Sequence, residues 1–275
     1  MSRNDSDRSG AHDNQDVPSE VLRKLEFVTP TEIVDLPSKG RYPEGHPLHG
    51  KDTIEVKYMT AKDEDILTSK SLIKKGLAIE RFLQSVLLNK SIKTESMYIC
   101  DRNAVLVAAR ASGYGTEYHT KVNCPHCNTV NEMLFDLSNP EIKDYDINPD
   151  WNIEESGCEF ILTPPLTGLK VGIRLLNGRD ENRLAKILTD KKNKEEKAVS
   201  EMLRTMITSV EGDSSRKTID YYVDNMPTQD SRYLRTTYSS LVPSIKISED
   251  FECHSCGYEQ EMEVPFGADF FWPDR

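Results

Sequence analysis

The chain has 275 residues, enough for one large domain or two small ones with a substantial core. Its 35 basic and 46 acidic side chains give a formal net charge of −11, a field that repels polyanions. That balance argues against nucleic acid or an anionic membrane as partner without a local basic patch, and no apolar run approaches the roughly 20 residues that span a bilayer.

Residues 1–20 are mostly Ser, Asp, Asn, Gly and Arg with almost nothing to bury, which predicts a disordered tail. The opening MSRNDSDRSGAHDNQD has no apolar stretch to act as a secretory signal. The expectation is a cytosolic, reducing setting, where paired cysteines more often mean metal than disulfide. Order is expected to begin near Val21 and Leu22, and residues 21–59 predict an extended arm and a strand. The arm carries Leu36-Pro37-Ser38-Lys39-Gly40. The strand is half-buried, because Ile54, Val56 and Tyr58 alternate with Glu55 and Lys57.

Residues 60–114 read as a helical section. Thr60 and Asp63 form an N-terminal capping pair ahead of Asp65-Ile66-Leu67. Ile79, Phe82, Leu83, Val86 and Leu87 follow at helical spacing. A second helix is expected from Thr94 to Ser112, central because Ala104 to Ala109 is apolar all round, with Gly113 as its stop. Asp101 and Arg102 within it must be paired or solvated.

Residues 115–138 change to strand, cysteine knuckle, strand. Residues 139–244 predict an inserted strand and a helical section, opened by a boundary connector from Asn139 to Asn152. Val171, Ile173 and Leu175 alternate as a strand. Asn177 can cap a helix with Leu184, Ile187 and Leu188. The loop KKNKEEK then leads to a helical pattern of Val199, Met202, Leu203, Met206, Ile207 and Val210. Thr228 can cap a last helix bearing Leu234, Tyr238 and Leu241, ended by Pro243. Residues 245–275 hold a second strand–knuckle–strand unit, Ile245 to Val264, and the aromatic tail Asp269-Phe270-Phe271-Trp272-Pro273.

A weak repeat links the two knuckles: Glu132-Met133 follows Cys124 at the offset at which Glu261-Met262 follows Cys253. The halves read as equivalent hairpins of one ribbon, with the 125 residues between Cys127 and Cys253 inserted in it. Cys124-Pro125-His126-Cys127 and Cys253-His254-Ser255-Cys256 both have the Cys-x-x-Cys spacing that converges two thiolates on one ion, and Gly257 suits a sharp turn. One structural zinc held by Cys124, Cys127, Cys253 and Cys256 is the leading reading.

Rival readings are a redox dithiol, two disulfides, two separate zinc ions drawing on His119, His126, His254, Cys100 and Cys158, or an open catalytic zinc. A redox motif would open a helix in a βαβ setting, which neither pair has. Cys100 and Cys158 read as small buried hydrophobes, and His126 and His254 as exposed knuckle residues.

No phosphate-binding loop, HExxH, GxSxG or GxGxxG is present, so no catalytic constellation emerges and the expectation is a protein that is not an enzyme. Zinc ribbons often bind nucleic acid, but the second knuckle sets Lys246 against Glu249, Asp250, Glu252, Glu259, Glu261 and Glu263. That density of acids disfavours phosphate contact. The aromatic tail reads equally as a partner anchor or as a segment folded back on the ribbon.

The succession of Leu36-Pro37-Ser38-Lys39-Gly40, Met59-Thr60-Ala61 with Asp63-Glu64-Asp65-Ile66-Leu67, Asp101-Arg102-Asn103-Ala104, Ser112-Gly113-Tyr114-Gly115, Cys124-Pro125 with Cys127, and Phe270-Phe271-Trp272-Pro273 resembles the baseplate hub proteins of T4-like tailed phages, the T4 base plate protein family. The match covers most of residues 30–275, more specifically before Cys127 than between Asn139 and Pro243. The resemblance implies a non-enzymatic tail protein made in the host cytoplasm, binding other baseplate hub or tail proteins. It implies either a component that stays in the virion baseplate or a factor acting only in assembly. The zinc assignment rests on spacing alone.

The expected fold is α+β: a split four-cysteine zinc ribbon of antiparallel strands, two helical sections and a disordered N-terminal tail. Competing functions are an acidic zinc-ribbon adaptor binding transcription machinery and a metal-dependent hydrolase.

Overall fold

The computed structural model describes residues 29–145, 153–189, 198–265 and 270–271. The expectations for residues 1–20, Val21, Leu22, the loop KKNKEEK, Trp272 and Pro273 lie outside these. Strands β1 (Thr31–Asp35) and β2 (Thr53–Lys57) pair antiparallel, Ile33 opposite Glu55. Ile54 and Val56 are buried and Thr53 and Glu55 exposed, as a period of two requires; Tyr58 lies just past the strand. The loop between β1 and β2 folds tightly at Gly40 (φ +69°), where a Cβ would sit 2.3 Å from the Lys51 nitrogen.

Helix α1 (Ala61–Thr68) starts at the expected capping pair: the Asp63 carboxylate accepts from the Thr60 N–H at 2.9 Å and its hydroxyl at 2.6 Å. After α2 (Lys70–Lys74), helix α3 (Ala78–Val86) buries Phe82, Leu83 and Val86, with Leu87 buried just beyond it. The central helix differs from expectation at both ends. Thr94–Ser96 is a separate 3-10 turn and α4 runs Ile99–Tyr114. The Ile99 N–H instead donates to Leu176 O (3.1 Å) and Met97 O accepts from the Gly178 N–H (3.1 Å), so backbone groups that a longer helix would use pair across the chain. Gly113 stays helical beneath the Met59 side chain, and the stop is Gly115 (φ +89°).

Beyond α4, β3 (Glu117–Asn123) and β4 (Val130–Asp136) form a hairpin. β5 (Glu141–Lys143) pairs antiparallel with β10 (Ser244–Lys246), so the connector expected at Asn139 opens as a strand. Strands β6 (Ile153–Ser156), β7 (Glu159–Leu162), β8 (Val171–Arg174) and β9 (Ile207–Val210) make a four-stranded antiparallel sheet in chain order. Of these, sequence alternation predicts β8 alone. Ile207 and Val210, expected on a helix, lie on β9 because α6 (Ala198–Met206) ends before Ile207 and the β-branched segment pairs with β8. α5 (Gly178–Thr189) precedes α6. An unanticipated helix α7 (Arg216–Asn225) is capped by the Ser215 hydroxyl, and α8 (Thr228–Leu241) follows Pro227, with Thr228 inside it. β11 (Ser248–Glu252) and β12 (Glu259–Glu263) close the second hairpin. The chain is α+β with small antiparallel sheets, as expected.

α4 lies in the core, with Cys100, Ala104, Val105, Val107 and Ala109 buried. Asp101 is 0% exposed. Its Oδ1 accepts the Ser38 N–H (2.9 Å), and its Oδ2 accepts the hydroxyls of Ser38 (2.6 Å) and Tyr42 (2.7 Å). The Tyr42 oxygen accepts the Tyr98 N–H at 2.9 Å, and its ring stacks on His46 and on Tyr98 at 4.2 Å each. Burial raises the pKa of Asp101 against the lowering influence of Ser38 and Tyr42.

Removing the carboxylate strands three buried donors. Asp101→Ala is expected to lose about 3–5 kcal/mol of stability in urea titration followed by circular dichroism, and Tyr42→Phe about 1–2 kcal/mol. A change under about 1 kcal/mol in Asp101→Ala would show that the loop docks without this network.

Candidate metal centre

Each hairpin turn is a cysteine knuckle built the same way. In the first, the Cys124 N–H donates to Thr129 O (2.9 Å) and Cys124 O accepts from the Asn128 N–H (2.8 Å). In the second, the Cys253 N–H donates to Tyr258 O (2.9 Å) and Cys253 O accepts from the Gly257 N–H (2.9 Å). Asn128 (φ +59°) and Gly257 (φ +66°) occupy the same left-handed turn position, one of the few an Asn tolerates. The repeat extends along the strands: Met133 faces Thr120 and Met262 faces Glu249, at matching offsets from the two knuckles.

The knuckles meet crosswise. Cys124 Sγ lies 3.7 Å from Cys256 Sγ, and Cys127 Sγ lies 3.6 Å from Cys253 Sγ. All four sulfurs lie within 4.8 Å of one another. A disulfide would need about 2.05 Å, and all four are free cysteines. Four thiolates about 2.3 Å from one tetrahedral ion would stand about 3.8 Å apart, so the donor set and its spacing fit a metal of that kind. Cys124 and Cys253 are buried while Cys127 and Cys256 reach the surface.

The knuckles shift the acidity of three of the sulfurs, in different directions. Burial opposes ionisation of Cys253, but the N–H groups of Cys256 and Ser255, together with the Cys127 and Cys256 thiols, outweigh it and lower its pKa to about 6. Cys127 is lowered chiefly by Thr129, whose hydroxyl lies 3.2 Å from its sulfur. Although the residue reaches the surface, the Cys256 thiol is pushed up to about 12, by partial desolvation of its sulfur and then by the crowding of Cys127, Cys253 and Cys124. Four thiolates this close repel unless a cation sits among them.

Asn131, a buried residue that sequence reasoning missed, ties one knuckle to the other. Its Nδ2 donates to Thr129 O (2.8 Å) and lies 3.7 Å from Cys253 Sγ; its Oδ1 accepts the His254 N–H (3.0 Å). The only sequence signal is an Asn at a strand position that its alternation turns inward. His126 and His254 are exposed, with His126 stacked 5.6 Å from Tyr258. Cys100 is buried in α4 and Cys158 half-buried by β7; neither joins the sulfur cluster.

The closing aromatics fold back on the chain. Phe270 packs edge-on against Tyr118 of β3 (5.1 Å) and Phe271 against Phe82 of α3 (5.2 Å), both buried. The Arg110 Nε–H donates to Phe270 O at 3.2 Å. Among the described residues no helix is long and apolar enough to cross a membrane.

Asn131→Ala leaves the His254 N–H without its partner and removes one of the two donors to Thr129 O. It is expected to lower stability by about 1–3 kcal/mol in chemical denaturation. A loss within about 0.5 kcal/mol would mean the knuckles hold together without this bridge.

A family model described as T4 bacteriophage base plate protein matches residues 29–272. The chain belongs to that family. No curated protein and no solved structure matches it significantly.

Proposed function

We propose that this member of the base plate family is a non-enzymatic structural component or assembly factor of the baseplate hub, stabilised by one zinc ion on Cys124, Cys127, Cys253 and Cys256. The observation that carries the base plate part is the family match across residues 29–272. The zinc part rests on four thiol donors within 4.8 Å of one another. Bound zinc would neutralise the thiolates and fix two hairpins far apart in sequence. Its ligand shell would be complete with four sulfurs, leaving no open position for a reacting water.

The partners are other baseplate hub or tail proteins, met in the host cytoplasm during assembly. The family match favours this reading over a transcription adaptor. The acidic second hairpin, with Glu261 paired to Lys246 (2.6 Å) among exposed carboxylates, supports a protein partner over a phosphate backbone.

Cys253→Ser is expected to lose bound zinc from one ion per chain to near zero, with a melting temperature lower by on the order of 10 °C. Retained zinc with an unchanged melting curve would sink the single-site assignment. Quantitative mass spectrometry of virions and tail-assembly intermediates tests the role itself. A fixed copy number in virions is the result expected of a structural component, and presence in intermediates alone that of an assembly factor. Absence from both overturns the reading.

A further inference from the structure

A groove of about 420 Å³ runs between β1, α4 and the β5–β10 ribbon. Its floor is Ala104, Val107, Ala108 and Ala111 of α4, spaced i, i+3, i+4 and i+7, so short side chains of one helix face leave room above them. One wall is β1, with four consecutive residues, Glu32 to Asp35, all touching the groove. Successive strand side chains point to opposite faces, so a groove touched by all four follows the strand's edge. Among the described residues β1 pairs with β2 alone, which leaves its other edge without a strand neighbour.

The groove is also one-sided in charge. Among the described residues its lining includes Glu32 and Asp35 and no Lys, Arg or His. Ser112 lies near the Glu32 carboxyl, but its Oε1 is enclosed and has no hydrogen-bond partner among the described residues. Ile33 on the rim is 74% exposed, and Ile142 on the far wall is exposed too. An open strand edge, an apolar floor and an enclosed carboxylate oxygen lacking a donor are three features that one ligand chemistry answers.

We propose that this groove docks an extended segment of another base plate or tail protein, which adds to β1 as a third strand, lays apolar side chains on the α4 stripe and brings a Lys or Arg to Glu32. The inference rests on the base plate reading and names the surface through which it would work. A strand supplies the main-chain donors and acceptors that an open edge wants, with alternate side chains for the floor. A helix would cover the floor and leave that edge unpaired. A second copy is disfavoured by charge, since each chain carries a net −11 and the groove is itself acidic.

The test is a photoreactive side chain at the rim, Ile33→p-benzoylphenylalanine, in the full chain expressed with the phage's tail proteins, irradiated and mapped by mass spectrometry. Co-sedimentation of the same protein with tail intermediates is measured alongside. The expected product joins position 33 to an alternating apolar segment of a tail protein with a Lys or Arg within two residues of the attachment. Glu32→Lys should cut its yield about tenfold, with an unchanged melting curve. In a second variant Asp35→Lys, at an exposed position, should also cut it without disturbing the fold. Cross-links only to a second copy, only within the same chain, or to a helical segment would overturn the proposal. So would no cross-link while the chain still co-sediments, and in that case the base plate reading survives. Failure to co-sediment sinks that reading and the groove with it.

Discussion

An ionised side chain is costly to bury unless it is paired and hydrogen-bonded, and α4 buries three. Each is answered by a different part of the chain. Asp101 takes three hydrogen bonds from the loop between β1 and β2, beside a weaker one from the Cys100 thiol (3.6 Å). Arg102 reaches Glu80 on α3 (3.0 Å) and Glu181 on α5 (2.9 Å). Arg110 holds the carbonyl of Phe270, with its guanidinium 4.9 Å from the Tyr114 ring centre. The apolar face of α4 would tolerate some sliding of its neighbours. The charges do not, because a displaced partner leaves a buried group unsatisfied. One helix therefore sets the position of the first loop, both helical sections and the closing aromatics.

The sulfur cluster sets a second constraint, on chain connectivity. Two knuckles separated by 125 residues must meet, and closing so long a loop costs chain entropy. The backbone contributes at the root of the insertion. β5 follows the first hairpin by a few residues, β10 precedes the second, and the two pair with Ile142 opposite Ile245. The insertion's ends are thus joined close to the hairpins that they separate. Asn131 adds a bridge beside the sulfurs. The crosswise sulfur pairs, Cys124 with Cys256 and Cys127 with Cys253, give the two hairpins an approximate two-fold relation. The repeated Glu-Met pair is its trace in the sequence.

These two constraints suit a protein whose work is to present a surface. The closing Phe270 and Phe271 serve the fold itself, filling space between α3 and β3. That use removes them as anchors for a partner. The candidate contact surface falls elsewhere, along a strand edge that is open among the described residues and that no local sequence motif marks.

The sequence by itself determined the elements whose physics is local or strongly periodic. The Thr60–Asp63 cap, the α3 stripe, the apolar core of α4 and both knuckles depend on residues within a turn or two of each other. The cysteine pairs were legible because only a few chemistries use that spacing. Tertiary structure alone decided the rest. Strands β6, β7 and β9 are short, and Ile207 to Val210 is strand because β8 lies beside it, a neighbour that helical spacing cannot register. α7 was hidden by its charged residues, although Ile219, Tyr222 and Val223 share one face. The start of α4 was set by hydrogen bonds to residues 176–178, while its stop moved from Gly113 to Gly115, the glycine that takes the left-handed φ. The partners of Asp101 and the role of Asn131 likewise come from more than 50 residues away. Such pairings carry no periodicity, because what selects them is the cost of leaving a buried polar group unmatched once the chain has folded.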